Sequence, residues 1–317
     1  MNALPSSRTF IRRGFRSLDI FHGICVVAAV ASVGVLLWIA LDIVGEAWPA
    51  VVSGGASLLT SSEWNPNGHV YGIFGYLAGT VISSLIAMAV ALPLGVLIAI
   101  FLSEDFLPSS LRQIFRFLIE LLAAIPSVVY GLWGIAVVVP LVQSNGGYLA
   151  KTVGQWVPLL AGPTYGNCML SASLVLALMI LPTITAVSRN AFESVPHSLR
   201  EGGYAVGFTR WETIGKILLP TAAPGIVASG VLALGRAMGE TMAVAMLIGN
   251  SSHLSLSLLS PAGTLAGLLA NQFAEADGMT INALMCAAAV LMVMTLVVNL
   301  LGDGILRVFQ RRVRGLI

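Results

Sequence analysis

What the chain has little of narrows it first. Only 9% of its 317 residues are charged, where a soluble domain carries roughly 25%. A water-facing globule of the ordinary kind is therefore excluded. No G-x-x-x-x-G-K-[ST] run occurs. Gly215-Lys216 is followed by Ile217 and has no glycine loop before it, so the chain lacks the phosphate cradle for hydrolysing ATP itself. H-E-x-x-H, C-x-x-C and G-x-S-x-G are also missing. His22, His69, His197 and His253 stand alone in sequence, which suits loop or membrane-edge residues better than ligands. Cys25, Cys168 and Cys286 are scattered and odd in number. They form neither a disulfide framework nor a metal spacing. A membrane enzyme needs a cluster of nucleophile, base or metal ligands, and the sequence has none. No long polar block is present to form a separate soluble domain.

Apolar residues make up 57% of the chain and the mean hydropathy is +0.92. Six apolar runs stand out, at about 21–44, 72–102, 114–142, 169–187, 224–248 and 281–308. Each approaches or exceeds the roughly 20 residues that cross a bilayer as a helix. A helix satisfies its own backbone groups, which lipid cannot do. The first run is too long for a signal-peptide core of roughly 7–15 residues and reads as an uncleaved span. The expectation is an all-α integral membrane protein with six transmembrane helices. One domain at 21–308 is flanked by short segments at 1–20 and 309–317. Pro93-Leu94-Gly95 and Ile125-Pro126-Ser127 read as breaks inside the second and third spans. The 249–280 connection has room for a short re-entrant or interfacial helix.

The few positive charges are distributed unevenly. Fourteen of the sixteen Lys and Arg fall in the N-terminal segment, the loop after the second span with the start of the third, the 188–223 loop and the C-terminal end. Lys151 falls on the other side and Arg236 lies inside a span. The positive-inside rule then places both termini and the 188–223 loop in the cytoplasm.

That loop contains SLREGGYAVGFTRWETIGKILLP, from Ser198 to Pro220. Ser198 with Glu201, and Thr209 with Glu212, each have the spacing of a capping box. Gly207 sits where a first short helix needs a left-handed C-terminal residue. Pro220 ends the second helix or starts the next element. The segment reads as helix, glycine turn, helix, held outside the membrane.

Within the fifth span, Arg236 and Glu240 of ALGRAMGETMAV are four apart and would share a helix face. Gly235 and Gly239 have the small-xxx-small spacing that admits a close partner helix. Two readings stand. The pair could be a self-satisfied ion pair that fixes packing. Alternatively, Arg236 offers a planar fork of donors to an oxyanion in a pathway, with Glu240 tempering its charge so that the ion also leaves. Thr241 and Ser127 are candidate lining residues, with Ser83, Ser84, Ser229 and Asn299 as secondary ones.

Two patterns resemble known proteins. Glu201-Gly202-Gly203, three residues, Gly207, nine residues, then Ile217-x-Leu219-Pro220 matches the spacing of the EAA loop of ABC-importer permeases. Gly202 and Gly203 replace that motif's two alanines, a change with no evident physical reason in the sequence. The segments Glu63-Trp64-Asn65-Pro66, GTVISSLIAMAVALPLGVLIAIFLSE, AAIPSVVYGLWG and GRAMGETMAV together resemble the PstC family, permease subunits of phosphate-specific ABC importers. The resemblance implies the type I importer permease fold in the bacterial inner membrane and a non-catalytic subunit. It implies a PstA-like permease partner, a PstB-like ATPase dimer that hydrolyses ATP in the cytoplasm, and a PstS-like phosphate-binding protein outside. Membrane lipid surrounds the subunit, and no nucleic acid is expected. It also implies that Glu201, Gly202, Gly203, Gly207, Ile217, Leu219 and Pro220 belong to the ATPase-docking element, and that Arg236 and Glu240 are critical for transport. A permease for sulfate or molybdate, a non-transporting scaffold and a membrane enzyme are the competing readings.

Overall fold

The structure, a computed structural model, describes residues 8–104, 106–152, 154, 158–253 and 255–314. Among them, six helices are long and apolar enough to cross a membrane. They are Phe21–Gly54, Phe74–Ser103, Ser127–Thr152, Met169–Glu193, Arg210–Gly239 and Gly278–Val308.

Two expectations about the spans are corrected. The third span does not start near 114. A separate helix, Ser109–Ala124, comes first and buries none of its side chains in this chain. It stops because the residue before a proline avoids the helical region: Ile125 is extended, and the span restarts at Ser127. The Tyr130 hydroxyl donates to the Leu122 carbonyl at 2.8 Å, adding to the longer bond from Ile125 N–H at 3.4 Å, so this C-terminal carbonyl is also held across the break. The second correction concerns Pro93, which does not interrupt the second span; Phe74–Ser103 runs through it as one helix. Gly95 acts as a contact point instead. A Cβ there would lie 2.7 Å from Ile184 Cγ2 of the fourth span.

Lipid is as apolar as leucine, so spans associate by close packing and interhelical hydrogen bonds rather than by escaping water. The core shows this. Ala87 and Ala91 of the second span meet Val175, Leu176, Ile180 and Ile184 of the fourth, with Ala233 of the fifth closing the cluster. Ser188 and Ser229 hydroxyls meet at 2.9 Å between the fourth and fifth spans. Ser229 is thus a packing residue, not a lining residue. The sixth span packs on the fifth, where a Cβ on Gly302 would meet Val231 and one on Gly235 would lie 3.0 Å from Asn299 Oδ1. The first span touches the rest mainly near its end, through Ala47 and Ala50 against Ala283 and Cys286.

The 249–280 connection holds a buried helix, Leu265–Gln272. Its cap is Thr264, whose side chain accepts from Gly267 N–H, and Thr80 Oγ1 of the second span accepts from Leu265 N–H at 2.9 Å. Leu265 and Leu268 pack with Ile73, Tyr76, Leu284 and Ala287. The helix therefore inserts between the second and sixth spans rather than lying on a surface. Strands Trp64–Asn65 and Val70–Tyr71 form a small antiparallel ladder beside it. Trp64 Nε1 ties the ladder to Gln272 Oε1 at 2.6 Å.

Candidate functional site

The fifth helix begins with a capping box. Thr209 Oγ1 accepts from Glu212 N–H, and Glu212 Oε2 accepts from Thr209 N–H at 3.0 Å. Lys216 Nζ adds an ion pair to Glu212 at 3.1 Å. From there the helix continues unbroken to Gly239. Pro220 neither ends nor starts it. Proline lacks an N–H and crowds the carbonyl four residues back. The chain accommodates both with a wider π turn at Ile214–Leu218 immediately upstream, where Leu219 N–H bonds Ile214 O.

The preceding helix is His197–Ala205, with Pro196 at its N-cap and no side-chain cap. The expected Ser198–Glu201 box is not formed, because Ser198 already lies inside the first turn. The C-terminal expectation holds. Gly207 has φ +90°. Gly207 N–H bonds Tyr204 O at 3.0 Å and Phe208 N–H bonds Gly203 O at 3.1 Å, the two bonds of a Schellman turn.

The two unexplained glycines now separate. A Cβ on Gly203 would sit 2.9 Å from Ile217 Cδ1 and 3.0 Å from Thr213 Cγ2. Gly203 thus lets the short helix lie against the start of the fifth. A Cβ on Gly202 would meet nothing within 4 Å.

Sequence spacing does not single out Arg200, yet it has the densest polar contacts of this element. Its Nε and Nη2 bond Glu104 Oε1 at 3.3 and 3.2 Å, Nη1 bonds Val195 O at 2.8 Å, and Nη2 bonds Phe192 O at 2.8 Å. Both side chains are largely buried, at 13% exposure for Arg200 and 7% for Glu104. The signal that could have found it is Glu104 itself. It is an acid at the C-terminal end of an apolar span, where the helix dipole disfavours it and calls for a cation.

Arg236 and Glu240 do not share a helix face. The fifth helix ends at Gly239, and Glu240 is extended, with ψ 125°. A short helix, Met242–Leu247, comes next. Among the described residues neither side chain has an ion-pair partner, so the self-satisfied ion pair is not formed. Arg236 is exposed, and its Nη1 donates to Thr183 Oγ1 of the fourth span at 3.4 Å. Glu240 Oε1 accepts from Ala243 N–H at 3.5 Å, and Thr241 Oγ1 donates to Gly239 O at 3.2 Å. Both stay at the break. Ser127 is half-buried at the start of the third span. That span packs on the short helix at Gly131, whose Cβ would lie 3.2 Å from Ala243 Cα. Gly239 has no neighbour within 4 Å of a Cβ, so only Gly235 serves as a close contact. A guanidinium in a span is expensive unless it faces water, a cavity or a partner. Here it faces the side of the subunit that its own helices leave open.

Residues 91–315 match the family of binding-protein-dependent transport system inner membrane components. The phosphate transport system permease protein PstC of Mesorhizobium japonicum is 40% identical over 302 residues, covering 93% of this chain and 92% of that one. PstC of Pasteurella multocida is 40% identical over 291 residues, covering 90% and 88%. Among solved structures, a bacterial alginate ABC transporter aligns with TM-score 0.59 at 16% identity, covering 93% of this chain and 95% of that one. The methionine transporter MetNI aligns with TM-score 0.51 at 20% identity, covering 75% and 94%. Six spans, a short buried helix between the second and sixth, and a capped helix-turn-helix leading into the fifth span, together with these matches, make the chain a member of the binding-protein-dependent transport system inner membrane components, within the PstC permease family, with the type I ABC importer permease fold.

Proposed function

We propose that this chain is the non-catalytic permease subunit of an ATP-driven importer of inorganic phosphate, working by alternating access in the bacterial inner membrane. The observation that carries the reading is Arg236. It is an exposed guanidinium with no carboxylate partner among the described residues, on the open face of the subunit. It also lies on the helix that starts at the Gly207 turn. A PstA-like subunit closes that face, and the two subunits enclose the pathway. Arg236 offers forked donors to the phosphate oxygens. Glu240 and Thr241, at the break just beyond, keep the site from holding the anion too tightly. Ser127 stands at the mouth of the third span.

Both termini and the helix-turn-helix face the cytoplasm. There Glu201, Gly202, Gly203, Gly207, Ile217, Leu219 and Pro220 form the element that docks on a PstB-like ATPase dimer, which hydrolyses the ATP. A PstS-like protein delivers phosphate from outside. The PstC name of the relatives at 40% identity supports phosphate over sulfate or molybdate. Uptake of labelled phosphate by the reconstituted complex, with phosphate or sulfate as competitor, tests this. Competition by phosphate alone agrees with the reading, and competition by sulfate at equal concentration contradicts it.

A further inference from the structure

The fifth helix is one connection between the cytoplasmic element and Arg236, and the structure contains a second. Arg200 sits in the His197–Ala205 helix but, among the described residues, makes no polar contact with the fifth helix. The bonds it makes go to the ends of the second and fourth spans and to the link that follows the fourth. Glu104 caps the second span, Phe192 lies in the last turn of the fourth, and Val195 lies in the link between the fourth span and the short helix. The fourth span's last carbonyls have no helical partner, and its dipole attracts a cation there. Glu104 is 7% exposed and is bonded by two guanidinium nitrogens. One buried side chain thus stiffens the 194–196 link between the fourth span and the short helix and ties both to the second span.

The fourth span then carries Thr183, the residue Arg236 touches at 3.4 Å. The short helix is consequently joined to both sides of that contact. One route is covalent, through the Gly207 turn and the fifth helix to Arg236. The other runs back through the 194–196 link, which Arg200 braces by its bonds to Phe192 O and Val195 O, and along the fourth span to Thr183. A push on the short helix moves the two sides together only if both routes hold.

From this geometry we infer that Arg200, with Glu104, is the positioning residue that makes the cytoplasmic helix one rigid body with the second and fourth spans, so that the ATPase stroke reaches the Arg236–Thr183 contact as a whole. This rests on the transporter reading above and names how the coupling is divided. An Arg–carboxylate pair that only filled space would be replaceable by apolar groups with little consequence. A coupling clamp would not be.

The test uses the full reconstituted complex and reads ATP hydrolysed per phosphate imported. Arg200→Met/Glu104→Gln removes the clamp without stranding a buried carboxylate, and assembly is scored by recovery of all subunits. We expect ATPase activity to persist while the ratio of ATP to phosphate rises about tenfold, a typical loss of coupling between sites. Arg200→Lys keeps the charge but not the fork, and is expected to fall between. An assembled double variant with the wild-type ratio overturns the inference, as does one that loses ATPase activity and uptake in equal proportion. Wild-type vesicles run alongside separate the two readings: absent phosphate uptake there refutes the phosphate assignment, and the clamp is then scored with the anion that is transported.

Discussion

Arg236 Nη1 reaches Thr183 Oγ1 at 3.4 Å across the fourth and fifth spans, while Glu240 lies past the end of the helix that carries Arg236. The cation is held by a neutral neighbour and the acid by backbone. On the proposed reading, the guanidinium exchanges this weak hydroxyl contact for an anion.

Ser229 and Ser188 meet at 2.9 Å, and Ser229 Oγ also donates to Ile226 O at 2.7 Å. Its role is helix packing. Ser229→Ala should cost about 0.6 kcal/mol, an average interhelical hydrogen bond in a membrane protein. Thermal unfolding of the purified complex reads this loss. Phosphate affinity should be unchanged, and a weakened affinity would return Ser229 to the pathway.

Gly207 has φ +90° and donates its N–H to Tyr204 O. Proline fixes φ near −65° and has no N–H. Gly207→Pro should therefore break the turn, lower uptake at least about tenfold and leave ATP hydrolysis running. Normal coupling in this variant would show that the turn does not transmit the stroke.

Gly202 and Gly203 are adjacent but should respond oppositely. Gly202→Ala places its methyl in open space and should stabilise the short helix by roughly 0.5–1 kcal/mol. Gly203→Val presses on Thr213 and Ile217 and should cost about 1–3 kcal/mol. Thermal melts of the two variants, compared with the parent, decide. Equal shifts would contradict the close approach at Gly203.

The span count and the Gly207 turn were legible because hydropathy and a left-handed glycine leave direct marks in sequence. So was the Thr209–Glu212 cap, because a hydroxyl three residues before a carboxylate at a helix start favours a capping box. The Ser198–Glu201 box had the same spacing, but Pro196 starts that helix too early for it to form. The Arg236–Glu240 spacing was visible, yet spacing implies a shared face only while the helix lasts, and the helix stops at Gly239. The reason for Gly203 lay beyond sequence reading, and for Arg200 the sequence held only the hint of Glu104, an acid at the end of an apolar span, without naming its partner. Both depend on elements from elsewhere in the chain: Thr213 and Ile217 in one case, Glu104 and Phe192 in the other.

The most direct measurement is labelled-phosphate uptake by Arg236→Gln in the reconstituted complex, with recovery of the ATPase subunits measured on the same preparation. The amide keeps a donor toward Thr183 but loses the charge and the fork. Uptake should fall to background while the ATPase subunits are recovered in full. Uptake at the parent rate would contradict an anion site at Arg236.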